Sequence, residues 1–274
     1  MADTADMSRL QALIFDVDGT LADTEEVHRL AFNRAFAEYG IPWEWSPALY
    51  ERLLAISGGR ERIEFYMREL LAQGPGEILT PDLIRELHAR KTAIYAEMLR
   101  IGQLRLRPGV ERLLREARDA GLELALATSS ARSNLETLLD MNLPGEWRAW
   151  FGAIESCDTV QMKKPSPAVY LAALRGLDLP ATACMAFEDT LNGLNAARAA
   201  GLVTVITTHR YTQARHFPGA ALVTDGFGEP DAPCAVIAGS LAGERCVTIA
   251  LLRRLLEAAA REQAPAVPVS CAVS

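Results

Sequence analysis

Lysine is scarce in this sequence. Only three of the 28 basic residues are lysine, and the others are arginine. A GC-rich genome accounts for such an arginine bias as a whole, so the bias by itself excludes no function. The positions of the three lysines are a separate observation, because each can be compared with the motifs described below. They are Lys91, Lys163 and Lys164.

Cysteine is also infrequent. The five cysteines are scattered along the chain, and none forms a C-x-x-C pair. This pattern argues against a disulfide framework and against a structural zinc site, and it favours a reducing compartment. The first residues lack the basic segment of a signal peptide. We therefore expect a cytoplasmic protein.

Long hydrophobic runs and an excess of positive charge are absent as well. No window approaches the roughly 18 apolar residues of a membrane-spanning helix, and the apolar run at 10–15 is interrupted by Asp16. The net charge is −7 and the pI is about 5.3, which gives no indication of a surface for nucleic acids. We therefore expect neither a membrane nor a nucleic acid as a partner.

The order of apolar segments predicts an α/β fold. A buried strand is predicted at 10–17, and further strands follow at 122–128, 182–187 and 202–207. A helical pattern at 192–201 separates the last two strands. Strand, helix and strand at this spacing predict a parallel sheet with crossover helices.

The length of 274 residues is long for one domain and short for two ordinary ones. A helical stretch between the first two strands resolves this, since it is large enough to be a small cap domain. We expect an α/β core at 1–22 and 105–240, a helical cap at 23–104, and a C-terminal helix with a frayed tail at 241–274. The apolar face of that helix is expected to pack onto the core, which favours a monomer.

Polar residues follow several of the predicted strands. Because ligands bind at the carboxyl ends of parallel strands, these residues are expected to converge, with the cap above them. Two carboxylates, a hydroxyl cluster, a lysine and an acidic pair would then lie at one edge of the sheet. The segments are Asp16-Val17-Asp18-Gly19-Thr20, Thr128-Ser129-Ser130, Lys164-Pro165 and Glu188-Asp189.

Phosphoryl transfer is the chemistry that suits this combination. A carboxylate attacks a phosphoryl group only when the phosphoryl charge is neutralised, as by a lysine and a divalent cation. Asp16, Asp189 and the backbone carbonyl of Asp18 could supply the hard oxygen ligands that Mg²⁺ prefers. One aspartate could then form an aspartyl-phosphate, and the second could transfer protons to the leaving group and from water.

The four motifs, in this order and spacing, resemble the haloacid dehalogenase superfamily over residues 10 to about 210. The resemblance implies a Rossmann-like core with an inserted C1-type helical cap. It also implies that Asp16 is the nucleophile, Asp18 the general acid and base, and Thr128 a ligand of the phosphoryl oxygens. Lys164 would neutralise the phosphoryl group. The implied Mg²⁺ ligands are Asp16, Asp18, Glu188 and Asp189.

Segments of the predicted cap resemble a narrower group, the CbbY-type phosphatases of Calvin-cycle organisms. They include 25–33, the Gly58-Gly59-Arg60-Glu61-Arg62-Ile63 run and Arg90-Lys91. This resemblance implies hydrolysis of xylulose-1,5-bisphosphate, an inhibitor of Rubisco. The residues expected to bind the sugar bisphosphate are Glu25, His28, Tyr50, Gly58, Gly59, Arg60, Arg62, Lys91, Ser129, Ser130 and Asn134.

Three alternatives stay open at this point. A sugar phosphomutase of the beta-phosphoglucomutase type would use the same motifs, and His28 has a parallel in that group. A phosphatase of another small sugar phosphate would differ only in the cap. A catalytically silent binding protein is disfavoured, because all the required groups are present.

Overall fold

The computed structural model describes residues 10–70, 79–102, 104–143 and 145–263. Within these ranges the centre is a sheet of seven strands in the order β3-β2-β1-β4-β5-β6-β7. Strands β1 to β6 are parallel, and β7 is antiparallel to β6. The strands are β1 (Ala12–Phe15), β2 (Glu123–Ala127), β3 (Ala153–Glu155), β4 (Cys184–Glu188), β5 (Val203–Thr207), β6 (Leu222–Thr224) and β7 (Val236–Ala238).

Nine α-helices accompany the sheet in the described part of the chain. A short π-helical turn, Tyr66–Leu70, continues the third of them. The helices are α1 (Glu25–Glu38), α2 (Pro47–Leu53), α3 (Gly59–Phe65), α4 (Pro81–Gly102), α5 (Val110–Asp119), α6 (Arg132–Asn142), α7 (Ala168–Leu177), α8 (Leu191–Ala199) and α9 (Ile249–Gln263).

Successive residues of β1 point to opposite faces of the sheet. Leu13 and Phe15 join the core cluster that includes α5, α6 and α9, whereas Ala12 and Ile14 join the cluster of α7 and α8. Every residue of β1 is buried, as is typical of a central strand in a parallel sheet. The predicted Rossmann-like α/β class is confirmed.

Helices α1 to α4 lie between β1 and β2 in the chain, where the cap was predicted, and we call this segment the cap. Two helix starts in this segment follow from the local sequence: Pro47 opens α2 after the capping residue Ser46, and Gly58, with a φ of 98°, precedes α3. The division of the chain into separate core and cap domains stays a prediction.

The C-terminal helix packs as predicted, since Leu251, Leu252 and Leu256 of α9 are buried in the main core. Strands β3, β6 and β7 were not predicted, because three residues are too few to show a period of two. No helix among the described residues is long and apolar enough to cross a membrane. The frayed tail was predicted from 263 onwards; Gln263 is the last residue of α9, and the residues after it lie outside the described ranges.

Candidate active site

The carboxyl ends of neighbouring strands carry the polar residues that the sequence analysis singled out. Asp16 follows β1, Thr128 follows β2 and Glu188 ends β4. These strands are parallel neighbours, so their ends lie at one edge of the sheet. Lys164, from the loop before α7, reaches the same edge and contacts Asp16. The structure therefore brings together the groups of the four motifs.

Lys164 lies at the centre of this cluster. Its Nζ is 2.5 Å from Asp16 Oδ1 and 2.5 Å from Glu188 Oε1, and it donates to the carbonyl oxygen of Ala127 at 2.9 Å. Burial lowers the pKa of Lys164, but the two carboxylates outweigh burial and hold that pKa above its usual range. Lys164 is therefore a fixed positive charge beside Asp16.

Three buried carboxylates form a candidate cation site. Asp16, Glu188 and Asp189 each offer an oxygen, and these oxygens lie within 4.8 Å of one another. Glu188 is held by the protein, since Tyr170 Oη donates to it at 2.7 Å and the Asp189 N–H at 3.2 Å. Asp16 Oδ2 and Asp189 Oδ1, by contrast, accept no hydrogen bond from the described residues.

These carboxylates fit a divalent cation. Burial raises the pKa of Asp189 to about 6 although His209 acts in the opposite direction, because a charged carboxylate is costly to remove from water. Close, buried oxygens with free lone pairs are the ligands that Mg²⁺ prefers. The carboxylate of Asp18 is not part of the cluster, so a contribution of Asp18 to a cation would come from its backbone carbonyl, as the sequence analysis allowed.

Asp18 accepts hydrogen bonds from both the core and the cap. Thr24 Oγ1 donates to its Oδ1 at 2.8 Å, His28 Nε2 lies 3.1 Å from the same oxygen, and Ser130 Oγ donates to Oδ2. Tyr95 Oη of α4 lies 3.3 Å away. Burial raises the pKa of Asp18, but His28 and the hydroxyl donors outweigh burial and hold it well below the usual range. Asp18 is therefore an anion in this arrangement.

Lys91 and His28 extend this contact into the cap. Lys91 Nζ lies 2.7 Å from His28 Nδ1. Since an ammonium can only donate, Nδ1 is the acceptor and the proton of the neutral imidazole is on Nε2, facing Asp18. Burial and the neighbouring Arg62 lower the pKa of Lys91 to about 7. The cap therefore places a titratable cation two contacts away from Asp18.

A second group of cap residues is held by Tyr50. Its hydroxyl donates to Glu25 Oε2 at 2.8 Å and accepts from Arg62 Nη1 at 2.8 Å. Arg62 also donates to the carbonyl oxygens of Leu53 and Ile56, at 3.1 and 3.2 Å. Tyr50 itself is fully buried behind Glu25 and Arg62, so it orients these two charged side chains.

A cavity of about 140 Å³ lies between the sheet edge and helices α1, α3 and α4. Asn134 is buried at its wall, and Asn134 Oδ1 has no hydrogen-bond partner among the described residues. Most of the predicted site residues line this cavity. They are Asp16, Asp18, Glu25, His28, Gly58, Gly59, Arg62, Lys91, Thr128, Ser129, Ser130, Asn134, Lys164 and Asp189.

The structure does not bring Arg60 to the cavity. Its side chain is half exposed, lies 4.0 Å from Glu61 and from Glu64, and is not among the residues that line the cavity. His88 and Lys163 do line the cavity but were not among the predicted site residues. His88 precedes Lys91 by three positions on α4, and this spacing could have indicated that both side chains share one helix face.

Comparison with known proteins agrees with this geometry. The haloacid dehalogenase-like hydrolase family matches residues 10–201. The plasmid CbbY protein of Cupriavidus necator is 49% identical over 224 residues, which are 82% of this chain and 88% of that protein. A CbbY variant of Rhodobacter sphaeroides, crystallised with xylulose-1,5-bisphosphate, is 41% identical with a TM-score of 0.74, covering 81% of this chain and 96% of that one.

A solved structure with lower sequence identity is relevant to the alternative function, that of a sugar phosphomutase. A Thermotoga maritima structure assigned as a beta-phosphoglucomutase is 27% identical with a TM-score of 0.57, and it covers 78% of this chain and 94% of that one. The family match itself spans β1 to β4, which carry the motif residues. Relatives in Bacillus subtilis and Thermotoga maritima that are 32% and 30% identical are named as phosphatases. The resemblance drawn from the motifs is thus confirmed: the chain belongs to the haloacid dehalogenase-like hydrolase family and is one of its phosphatases.

Proposed function

We propose that this protein is a Mg²⁺-dependent cytoplasmic phosphatase that hydrolyses xylulose-1,5-bisphosphate to xylulose 5-phosphate and so removes an inhibitor of Rubisco. The arrangement of charge in one cavity carries the proposal. Asp16 and Lys164 lie at the core end, and Arg62 and Lys91 lie at the cap end. The core end suits the phosphate that reacts, and the cap end suits the phosphate that does not. Similarity to a CbbY structure with this bisphosphate supports the choice of substrate.

Asp16 is the proposed nucleophile. Its carboxylate attacks phosphorus, the bond between phosphorus and the sugar oxygen breaks, and Asp16 carries the phosphoryl group as an aspartyl-phosphate. Lys164, 2.5 Å from Asp16, neutralises the phosphoryl oxygens during the attack. The buried Thr128 hydroxyl at the end of β2 donates to one of those oxygens.

Asp16 and Asp189, with the backbone carbonyl of Asp18, would hold the Mg²⁺, and Glu188 supports them from behind. The cation supplies a further positive charge for the phosphoryl oxygens. Glu188 accepts from Lys164, Tyr170 and the Asp189 backbone, so its part is to keep Lys164 and Asp189 in place.

Asp18 is the proposed proton carrier. The anionic Asp18 of this arrangement gains a proton more readily once a phosphate brings further negative charge into the cavity. It then donates that proton to the leaving sugar oxygen. In the second half of the reaction it accepts a proton from the water that attacks the aspartyl-phosphate, and inorganic phosphate is released.

The contact from Lys91 through His28 to Asp18 favours a second candidate, a sugar phosphomutase of the beta-phosphoglucomutase type. A mutase would transfer the phosphoryl group from Asp16 to another sugar hydroxyl instead of water. His28 and Lys91 would then orient the sugar hydroxyls beside Asp18. Similarity to the Thermotoga maritima structure supports this second candidate. A phosphatase of another small sugar phosphate is a further alternative.

A panel of sugar bisphosphates and monophosphates tests the proposal, with phosphate release measured in Mg²⁺ and in EDTA. The phosphatase account predicts Mg²⁺-dependent release that is fastest from xylulose-1,5-bisphosphate. Isomerisation of a sugar monophosphate without net phosphate release would select the mutase. Equal turnover of unrelated monophosphates would contradict the proposed specificity.

A further inference from the structure

A buried histidine contacts one carboxylate of the candidate cation site and takes no part in the proposed catalytic steps. His209 follows β5, and its Nε2 is 2.8 Å from Asp189 Oδ2. The two side chains are only 1% and 2% exposed. His209 is not among the residues that line the cavity, so it contacts Asp189 but has no path to a substrate.

The backbone around His209 fixes the ring. The Tyr211 N–H donates to Nδ1 at 3.3 Å, so Nδ1 carries the lone pair of the neutral imidazole and Nε2 carries the proton. The turn is closed by Thr212, whose Oγ1 accepts from the His209 N–H at 3.1 Å. The Nε2–H therefore points at Asp189 Oδ2 in a direction that the turn sets.

Gly19 lies directly beside Asp189 Oδ2, the oxygen that His209 contacts. A Cβ at this position would lie 2.1 Å from Asp189 Oδ2 and 3.1 Å from His209 Nε2, and the φ of Gly19 is +86°. Asp189 Oδ2 is thus confined between an imidazole donor and a glycine that leaves room for it. The other oxygen, Oδ1, accepts no hydrogen bond from the described residues.

We propose that His209 is a positioning residue for the cation site: it binds Asp189 Oδ2 and thereby keeps Oδ1 directed at the Mg²⁺. The inference rests on the proposed function, since it assumes that Asp189 is a Mg²⁺ ligand. Donors behind a metal-binding side chain fix its orientation, and their loss commonly weakens metal binding about 10- to 100-fold. A histidine that served packing alone would be replaceable by any ring of similar size.

Binding of Mn²⁺ to the full-length protein, followed by the electron paramagnetic resonance of the free ion, separates these possibilities. His209→Phe keeps the ring and removes the donor, whereas His209→Gln keeps an N–H donor. His216→Phe, at an exposed position, is the matched control. We expect the Phe variant to bind Mn²⁺ about 10- to 100-fold more weakly, the Gln variant to recover most of the affinity, and the control to be unchanged.

Enzyme activity is a second measurement, because a higher Mg²⁺ concentration compensates for weaker binding of Mg²⁺. Raising Mg²⁺ should restore much of the kcat of His209→Phe. Equal Mn²⁺ affinity in the wild type and the Phe variant would overturn the inference and leave the phosphatase assignment intact. Absence of Mn²⁺ binding in the wild type would overturn the metal-dependent function and the inference with it. If the Phe variant does not fold, His209→Leu replaces it in the comparison with Gln.

Discussion

Lys163 Nζ lies 2.6 Å from Glu61 Oε2, an ion pair that joins the loop before α7 to the first turn of α3. Its neighbour Lys164 turns the other way and contacts Asp16 and Glu188. The two adjacent lysines thus make separate contacts: Lys163 joins the loop before α7 to α3, and Lys164 lies beside the proposed nucleophile, Asp16. All three lysines of this arginine-rich chain line the cavity.

The two lysines should differ when each is removed. Lys164→Ala loses a buried charge that faces the reacting group, and we expect kcat/KM to fall about 10²- to 10³-fold. Lys163→Ala breaks a partly exposed ion pair and should cost about tenfold or less. Lys164→Arg should also lose most activity, because a planar fork does not fit the space of a compact ammonium. Equal losses in the two alanine variants would mean that the roles are assigned wrongly.

Asp16→Asn tests the nucleophile. An amide cannot form an acyl phosphate, so turnover should fall on the order of 10⁵-fold. Circular dichroism and binding of the bisphosphate serve as controls, since the amide has nearly the shape of the carboxylate. Substantial activity in a freshly prepared Asn variant would exclude the aspartyl-phosphate route.

Arg62 and Arg60 form a matched pair, because they are two positions apart on α3 but only Arg62 lines the cavity. Charge-assisted hydrogen bonds contribute about 1.5–3 kcal/mol, so Arg62→Met should raise the KM for the bisphosphate roughly 10- to 100-fold. Arg60→Met should leave KM within about threefold of the wild type. The assignment fails if the Arg60 variant is the more impaired of the two.

Lys91 should make substrate binding depend on pH. Its pKa of about 7, lowered by burial and by Arg62, means that it loses its charge as the pH rises through neutrality. A bound phosphate favours the charged form, so affinity for the bisphosphate should weaken between pH 6 and 9, by about tenfold per lost charge-assisted contact. Titration calorimetry across this range measures the effect.

Lys91→Arg is the control for this titration, since arginine keeps its charge throughout the range. The pH dependence should flatten in that variant, apart from the contribution of the phosphate itself. A wild-type profile that is identical to that of the Arg variant would remove Lys91 from phosphate binding.

The sequence predicted the core of the site because its signals are local. Asp16 and Glu188 each end an apolar strand, and the rule that parallel strands share one carboxyl edge places them together. Donors to Asp18 from the cap, such as Tyr95, could not be predicted this way, because they depend on how α4 packs against the core.

The direction in which a side chain points is the other feature that the sequence did not predict. Residues two positions apart on a helix face different sides, so either Arg60 or Arg62 could have faced the cavity, and the sequence did not distinguish them. His209 follows the predicted strand at 202–207, so the strand-end rule could have placed it near Asp189, but the direction of its ring depends on the turn formed with Tyr211 and Thr212. Strand β3 was missed because three residues show no period.

The ratio of kcat/KM for xylulose-1,5-bisphosphate to kcat/KM for xylulose 5-phosphate, both in saturating Mg²⁺, tests the central claim most directly. One phosphate is proposed to bind Asp16 and Lys164, and the other is proposed to bind Arg62 and Lys91. Two charge-assisted contacts of about 1.5–3 kcal/mol each predict a ratio on the order of 10² to 10⁴. A ratio near one would contradict the account, because the cap cations would then contribute nothing to substrate selection.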